Sequence, residues 1–308
     1  MLYYLYYKMS GPKYFIYFHN WWGGFFERID ANNIGFFEKL LPYTKLSNFE
    51  ITRDINKANV LIDAGKPTDN TITAKDWKYR INFIGEPVLP DHEKYDIVLT
   101  GINRLANIVD VPVSVMYMLG NNYLHLFRTR ETIHIKTVVA TNFCCFIVSN
   151  NNCPTRNKMF QMLNKYKKVN SGGRHLNNIG GIVGGNWWSK EYIGYISRHK
   201  FMICFENTKM ETYSTEKIVN AYLAGVIPIY WSSHHIKNLF NHESMLFLED
   251  ETEESFQKLI EQVIILDNDD AKYLEFINRP IFNEHNKIYW LNNYTFDGIG
   301  KKMDKLLN

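Results

Sequence analysis

The chain has 308 residues, enough for two domains of ordinary size, and 45 % of them are hydrophobic, which excludes a disordered tail. Its 35 basic and 32 acidic side chains leave a net charge of +3, too even a balance to drive binding to nucleic acid. No apolar run is long enough to span a bilayer, and the aromatic N-terminus, interrupted by Lys8 and Lys13, does not read as a secretory signal, so a soluble, cytoplasmic protein is expected.

Taken in chain order, Lys13 to Phe18 reads as an aromatic strand, followed by His19-Asn20-Trp21-Trp22 and a Gly23-Gly24 turn. A helix is predicted through Gly35 to Leu41, then short strands at Val60–Ile62, Ile81–Ile84 and Ile97–Leu99, the second running into Gly85-Glu86-Pro87. Residues 120 to 141 carry Arg, Thr and His with no clean period, and the crossover between domains is placed there. Beyond it, Cys144 to Ser149 reads as a buried strand, Thr155 to Tyr166 as a helix and Val169 to Gly173 as a strand ending in a glycine turn. Four glycines in 180–187 predict a mobile loop, and a short helix over Ser189 to Ser197 precedes the most informative stretch. The remainder alternates helix (His235–Phe240), strand (Met245–Leu248) and helices (253–266 and 270–277). Alternation of β and α in both halves predicts two Rossmann-type domains, 1–138 and 139–308.

Residues 201 to 231 read FMICFENTKMETYSTEKIVNAYLAGVIPIYW: strand, polar loop, helix, strand. Such βαβ units present polar side chains at the carboxyl ends of their strands, where open α/β sheets bind ligands. Ser214 or Thr215 is expected to cap the helix, whose N-terminus attracts anions, and Lys217 adds a positive charge in the first turn. That chemistry suits a diphosphate held without a Gly-rich loop. A buried βαβ unit with an ordinary capped helix accounts for the apolar spacing, but not for Glu206, Asn207, Tyr213, Glu216 and Lys217 clustering at the strand and helix ends.

Phe205-Glu206-Asn207, Tyr213, Thr215-Glu216-Lys217 and Ile227-Pro228-Ile229, in that order, resemble the signature of the α1,3/4-fucosyltransferase family, with the soluble bacterial-type α1,3-enzymes the nearest pattern. Val148-Ser149-Asn150 with Arg156-Asn157 resembles a second family motif, and Asn20-Trp21-Trp22 a third near the start of bacterial members. The resemblance implies the GT-B architecture, two Rossmann-type domains facing a central cleft. It implies an inverting transfer of L-fucose from GDP-β-L-fucose to a glycan hydroxyl, with O3 of GlcNAc in a LacNAc-type acceptor the expected site. Animal members are membrane-anchored in the Golgi; the absence of that stem here fits a bacterial or viral type.

Inverting transfer needs a base on the acceptor hydroxyl and positive charge on the departing diphosphate. By itself Glu86 reads as a surface-loop glutamate; the resemblance makes it the expected catalytic base. Arg156, whose fork suits phosphate, and Lys217 are expected at the diphosphate, where bare sequence would leave Arg156 a solvated helix residue. Asn207 and Tyr213 are expected donor contacts. Glu216 is expected to hold ribose or fucose hydroxyls while also serving as an acid at the helix N-terminus; Glu206 is left as a structural alternative. Asn20, Trp21 and Trp22 are assigned to the acceptor side, although paired tryptophans could equally pack the core.

No essential cofactor or metal is expected: Asp267-Asn268-Asp269 matches D-x-D but falls between two predicted helices, where a helix cap explains it better. Four cysteines (Cys144, Cys145, Cys153 and Cys204) form no zinc or disulfide pattern and read as buried thiols. The expected partners are GDP-fucose and an oligosaccharide or glycoconjugate, with no nucleic acid. A different nucleotide sugar or acceptor, or a non-catalytic binding protein, remains open from sequence, and 102–142 departs most from the family's pattern.

Overall fold

The computed structural model describes residues 11–21, 34–64, 75–88, 92–102, 106–124 and 136–307. The chain forms two compact units, each built on its own parallel sheet. Unit 1 comprises Met1–Tyr123, Glu211–Tyr213 and Ile288–Asn308; unit 2 comprises Leu124–Met210 and Ser214–Lys287. This division differs from the expected boundary at 138/139, because the chain crosses earlier and its C-terminal end packs with unit 1.

Unit 1 carries β1 (Tyr14–His19), β2 (Phe49–Ile51), β3 (Val60–Ala64), β4 (Tyr79–Ile84), β5 (Ile97–Thr100) and β6 (Ile108–Asp110), in the order β2-β1-β3-β4-β5-β6. Around the sheet stand α1 (Ile34–Leu40), α2 (Val113–Gly120), α9 (Glu284–Asn293) and α10 (Phe296–Leu306), of which α9 begins in unit 2. Strands β2 and β6, three residues each, were too short to register as periodic runs. Every residue of α2 is buried, so it lacks the polar face that marks a helix in sequence. An aromatic cluster of Phe18, Trp21, Phe36, Phe37 and Phe83 fills one part of the unit. The closing helix α10 lies tightly on the turn at Tyr43: a Cβ on Gly300 would fall 2.3 Å from the Tyr43 carbonyl oxygen.

Unit 2 carries β7 (Asn142–Phe146), β8 (Val169–Ser171), β9 (His199–Ile203), β10 (Ile227–Tyr230) and β11 (Leu246–Phe247), in the order β11-β10-β9-β7-β8. Strands β9 and β10 are buried along their whole length, which is why they read as continuous apolar runs rather than alternating ones. Helices α3 (Pro154–Tyr166), α4 (Lys190–Ile196), α5 (Glu216–Ala224), α6 (Ile236–Leu239), α7 (Glu253–Asn268) and α8 (Asp270–Ile277) complete the unit. One core runs from Phe143 and Phe146 through Phe201, Phe205 and Trp231 to Val263 and Tyr273. All four cysteines lie buried and unbridged.

In strand number within each unit, both sheets follow the order 2-1-3-4-5, with a sixth strand added at the end in unit 1. The chain leaves the first strand toward one edge and returns on the other side to build the rest, so each sheet has a topological switch point at the carboxyl ends of its first and third strands. In unit 1 that point lies between β1 and β3, and in unit 2 between β7 and β9.

Candidate active site

At the unit 2 switch point, the loop after β7 leads into α3 and the loop after β9 carries Glu206 and Asn207. Arg156, in the first turn of α3, is completely buried and ties the two loops together. One guanidinium nitrogen, Nη1, donates to Oδ1 of Asn207 at 2.7 Å and the other, Nη2, to the carbonyl of Asn150 at 2.7 Å. The planar fork makes both bonds at once without bending, which an ammonium could not do. The sequence motifs Val148-Ser149-Asn150, Arg156-Asn157 and Phe205-Glu206-Asn207 therefore meet in space. His175 extends this cluster, Nε2 lying 2.9 Å from Oδ1 of Asn157, and burial together with the nearby Arg156 charge lowers its pKa.

Behind Asn207 the hub is Glu206. Its wholly buried carboxylate accepts from the backbone N–H of Thr215 at 2.7 Å, from the Thr215 hydroxyl at 2.8 Å, from Nζ of Lys217 at 3.0 Å and from the Tyr230 hydroxyl at 3.3 Å. Glu206 thus fixes the first turn of α5 to the end of β9 and stands at the centre of the site's framework. Burial opposes the charge on Lys217, but Glu206 and then Glu216 outweigh it and raise its pKa, so the ammonium is held protonated. Nζ also donates to the Thr215 hydroxyl at 2.8 Å; its third proton has no partner among the described residues.

The expected side-chain cap of α5 is not made. Thr215 occupies the N-cap position with extended backbone, but its hydroxyl is spent on Glu206. The first N–H groups of α5 thus keep no side-chain cap from Thr215 at an end that favours anions. Glu216, the first residue of α5, is half-buried. At the other end Gly225, at φ 68°, supplies the left-handed residue that closes the helix.

Tyr213 is buried and belongs with unit 1 through the segment Glu211–Tyr213, which Thr212 anchors by donating to the Gly101 carbonyl and to Oδ1 of Asp110, both at 2.6 Å. Glu86 is exposed on the bend directly after β4, where the motif reading puts it. Asn20 is exposed after β1, whereas Trp21 packs inward: it stacks on Phe83 at 5.7 Å and donates to the Ile62 carbonyl at 3.2 Å. Trp22 lies outside the described residues.

Asp269 caps α8 by accepting from the N–H of Lys272 at 3.0 Å, while Asp267 pairs with Lys167 at 2.9 Å and Lys200 at 3.3 Å, which accounts for the D-x-D string. The glycine-rich stretch 180–187 folds back through bonds from Asn177 Nδ2 to the Gly181 carbonyl and from the Val183 N–H to Gly172, at 2.7 and 2.9 Å. Among the described residues no helix is long and apolar enough to cross a membrane.

Residues 137–298 match the model of glycosyltransferase family 10 (fucosyltransferase), C-terminal region. The chain belongs to that family. This family 10 chain is 34 % identical to the α-(1,3)-fucosyltransferase of Helicobacter pylori over 158 residues, 51 % of the chain and 31 % of that protein. It is 30 % identical to the bovine (Bos taurus) 4-galactosyl-N-acetylglucosaminide 3-α-L-fucosyltransferase 9 over 203 residues, 62 % of the chain and 52 % of that protein. The chain thus spans only 31 to 52 % of these curated relatives' length. Solved structures of α1,3-fucosyltransferase match over 97 % of the chain and 91 % of theirs, with TM-scores of 0.72 alone and 0.69 with GDP, at 22 % identity. The family 10 fold is accordingly α/β with two parallel sheets, of the GT-B type.

Proposed function

We propose that the protein is an inverting α1,3-fucosyltransferase that moves L-fucose from GDP-β-L-fucose to a glycan hydroxyl, O3 of GlcNAc in a LacNAc-type acceptor. The observation that carries the donor half is the buried Arg156 bridge between Asn150 and Asn207 at the unit 2 switch point, with Lys217 in the first turn of α5 paired to neighbouring Glu206. A diphosphate there meets the α5 N-terminus and Lys217; Arg156 holds Asn207 in place and adds its own charge. Glu216 is assigned the sugar hydroxyls and Tyr213 a donor contact. Solved structures similar to this chain include one with GDP and one with GDP-fucose, which supports the same donor here.

In the proposed step Glu86 takes the proton of the acceptor hydroxyl. The freed oxygen attacks C1 of fucose from the face opposite the diphosphate, the C1–O bond to GDP breaks, and β donor becomes α product. The departing diphosphate gains negative charge, which Lys217, Arg156 and the α5 dipole stabilise, so the step is assigned to fixed protein charges with no essential metal. The test is mass spectrometry of purified protein with GDP-fucose, LacNAc and a chelator. A deoxyhexose on LacNAc supports donor, reaction and metal independence together. Product from a different nucleotide sugar, with none from GDP-fucose, would overturn the donor assignment.

A further inference from the structure

The unit 1 sheet has a switch point of its own, and it is occupied by a hydrogen-bonded pair, His19 and Asp63, that the donor chemistry does not use. His19 and Asp63 are the last partners in the register between β1 and β3. His19 Nδ1 lies 3.0 Å from Oδ1 of Asp63, and the other carboxylate oxygen receives the Tyr95 hydroxyl at 2.5 Å. Asp63 is 1 % exposed at its side chain, whereas His19 is 17 % exposed. A carboxylate only accepts, so the bond places the proton of the neutral imidazole on Nδ1 and leaves Nε2 as an acceptor.

The backbone next to the pair is unusual. Asn20 adopts φ 56°, the left-handed region that non-glycine residues seldom enter. This reversal separates neighbours: Trp21 turns back onto Phe83 and the Ile62 carbonyl, while His19 stays at the end of β1, and the Asn20 side chain joins the hydrogen bonds on Asp63. Tyr95 and Asn20 therefore fix the buried carboxylate that in turn holds one partly exposed ring. A pair serving stability alone would be replaced at little cost by packed apolar side chains, so the arrangement points to a use for the ring itself. Next across the sheet, Asp63 is in register with Asn82 of β4, whose strand ends just before Glu86.

We propose that His19, fixed by Asp63, binds a hydroxyl of the acceptor glycan through Nε2, on the same edge of the sheet as Glu86. The assignment of a glycan acceptor rests on the function proposed above; the position of the imidazole does not. The class of ligand is a neutral polyol, whose O–H donates to an imidazole nitrogen.

Two measurements test it. In turnover assays at saturating GDP-fucose, His19→Ala should raise the KM for LacNAc about tenfold, a loss typical of one good hydrogen bond to substrate. His19→Gln, which keeps an acceptor atom, should recover part of it, while GDP affinity and melting temperature stay at wild-type values. In nitrogen NMR of the imidazoles, assigned by comparison with His19→Gln, the Nε2 resonance of His19 should move when LacNAc is added to the GDP complex. An unchanged KM, a silent resonance at saturating LacNAc, or parallel loss of GDP affinity and melting temperature would each overturn the proposal. Failure of the functional reading looks different: no fucosylated product forms with the wild-type protein, while the NMR titration still reports on the glycan contact.

Discussion

Glu206 and Lys217 form a buried ion pair, Oε2 to Nζ 3.0 Å apart, that joins the end of β9 to the first turn of α5. The carboxylate is fully buried and the lysine side chain is 16 % exposed, so removing one partner strands the other. Glu206→Gln should therefore lower stability by about 3–5 kcal/mol, the usual cost of breaking a buried pair. The double variant Glu206→Gln/Lys217→Met should be less destabilised than the single one, because no buried charge is left alone. Urea denaturation of the wild type, the single variants Glu206→Gln and Lys217→Met and the double variant measures this; additive losses would sink the coupling. The raised lysine pKa has a definite sign: its contribution is full at neutral pH and is lost as pH rises through the folded-state value, so wild-type stability should fall at alkaline pH more than that of the double variant.

Arg156→Lys retains the charge and loses the fork. A single ammonium cannot reach Oδ1 of Asn207 and the Asn150 carbonyl in the directions the guanidinium does. GDP affinity by calorimetry should fall at least about tenfold, roughly 1.4 kcal/mol or more. Affinity unchanged within a factor of two would mean that Arg156 orders nothing the nucleotide uses.

Asn150 and Asn207 are legible in the sequence because each lies just beyond an apolar run, and Arg156 and Lys217 because each lies in the first turn of a helix that follows such a strand and loop. Their internal wiring was not legible. Glu206 reads as one more polar residue after a strand, and only the fold reveals that it accepts from Thr215, Lys217 and Tyr230, the last of them 24 positions away. The same contact explains the misplaced cap, since a threonine at an N-cap position satisfies the local rule until a buried carboxylate competes for its hydroxyl. Helix α2 was missed for the opposite reason, being buried on every face. The His19–Asp63 pair joins positions 44 apart in sequence, and no spacing rule connects them.

Asp63 should leave a trace in the pH dependence of stability. Burial raises its pKa above the ordinary aspartate value, and hydrogen bonds from Tyr95, His19 and Asn20 offset only part of that. A carboxyl with a raised folded-state pKa binds more protons folded than unfolded between the two values. Its contribution therefore declines as pH rises from below the unfolded pKa through the folded one, then levels off. Asp63→Asn lacks this titration. Its stability relative to wild type should improve with rising pH across that acidic window; thermal unfolding of both proteins from pH 3 to 7 measures the difference. A constant difference would show that Asp63 titrates as it does unfolded.

The backbone that presents Asn150 has no slack at Gly173. A Cβ there would stand 2.0 Å from the Val148 carbonyl oxygen and 2.3 Å from its nitrogen. Neither is a side-chain end that could rotate away, so the segment after β7 that carries Val148 and the turn after β8 would have to separate. That separation would disturb the bond from the His175 N–H to the Val148 carbonyl, 2.9 Å long, and shift the two-residue approach to Asn150, which accepts from Arg156. Gly173→Ala should therefore cost more than about 3 kcal/mol, above the range of ordinary substitutions. It should also weaken GDP binding in whatever fraction remains folded. Gly181→Ala is the control, since nothing lies within 4 Å of the added carbon, and it should change stability by less than about 0.5 kcal/mol. Melting temperatures of the two variants side by side decide the matter: equal values would mean that the close approach at Val148 relaxes freely and does not fix the loop that Arg156 holds.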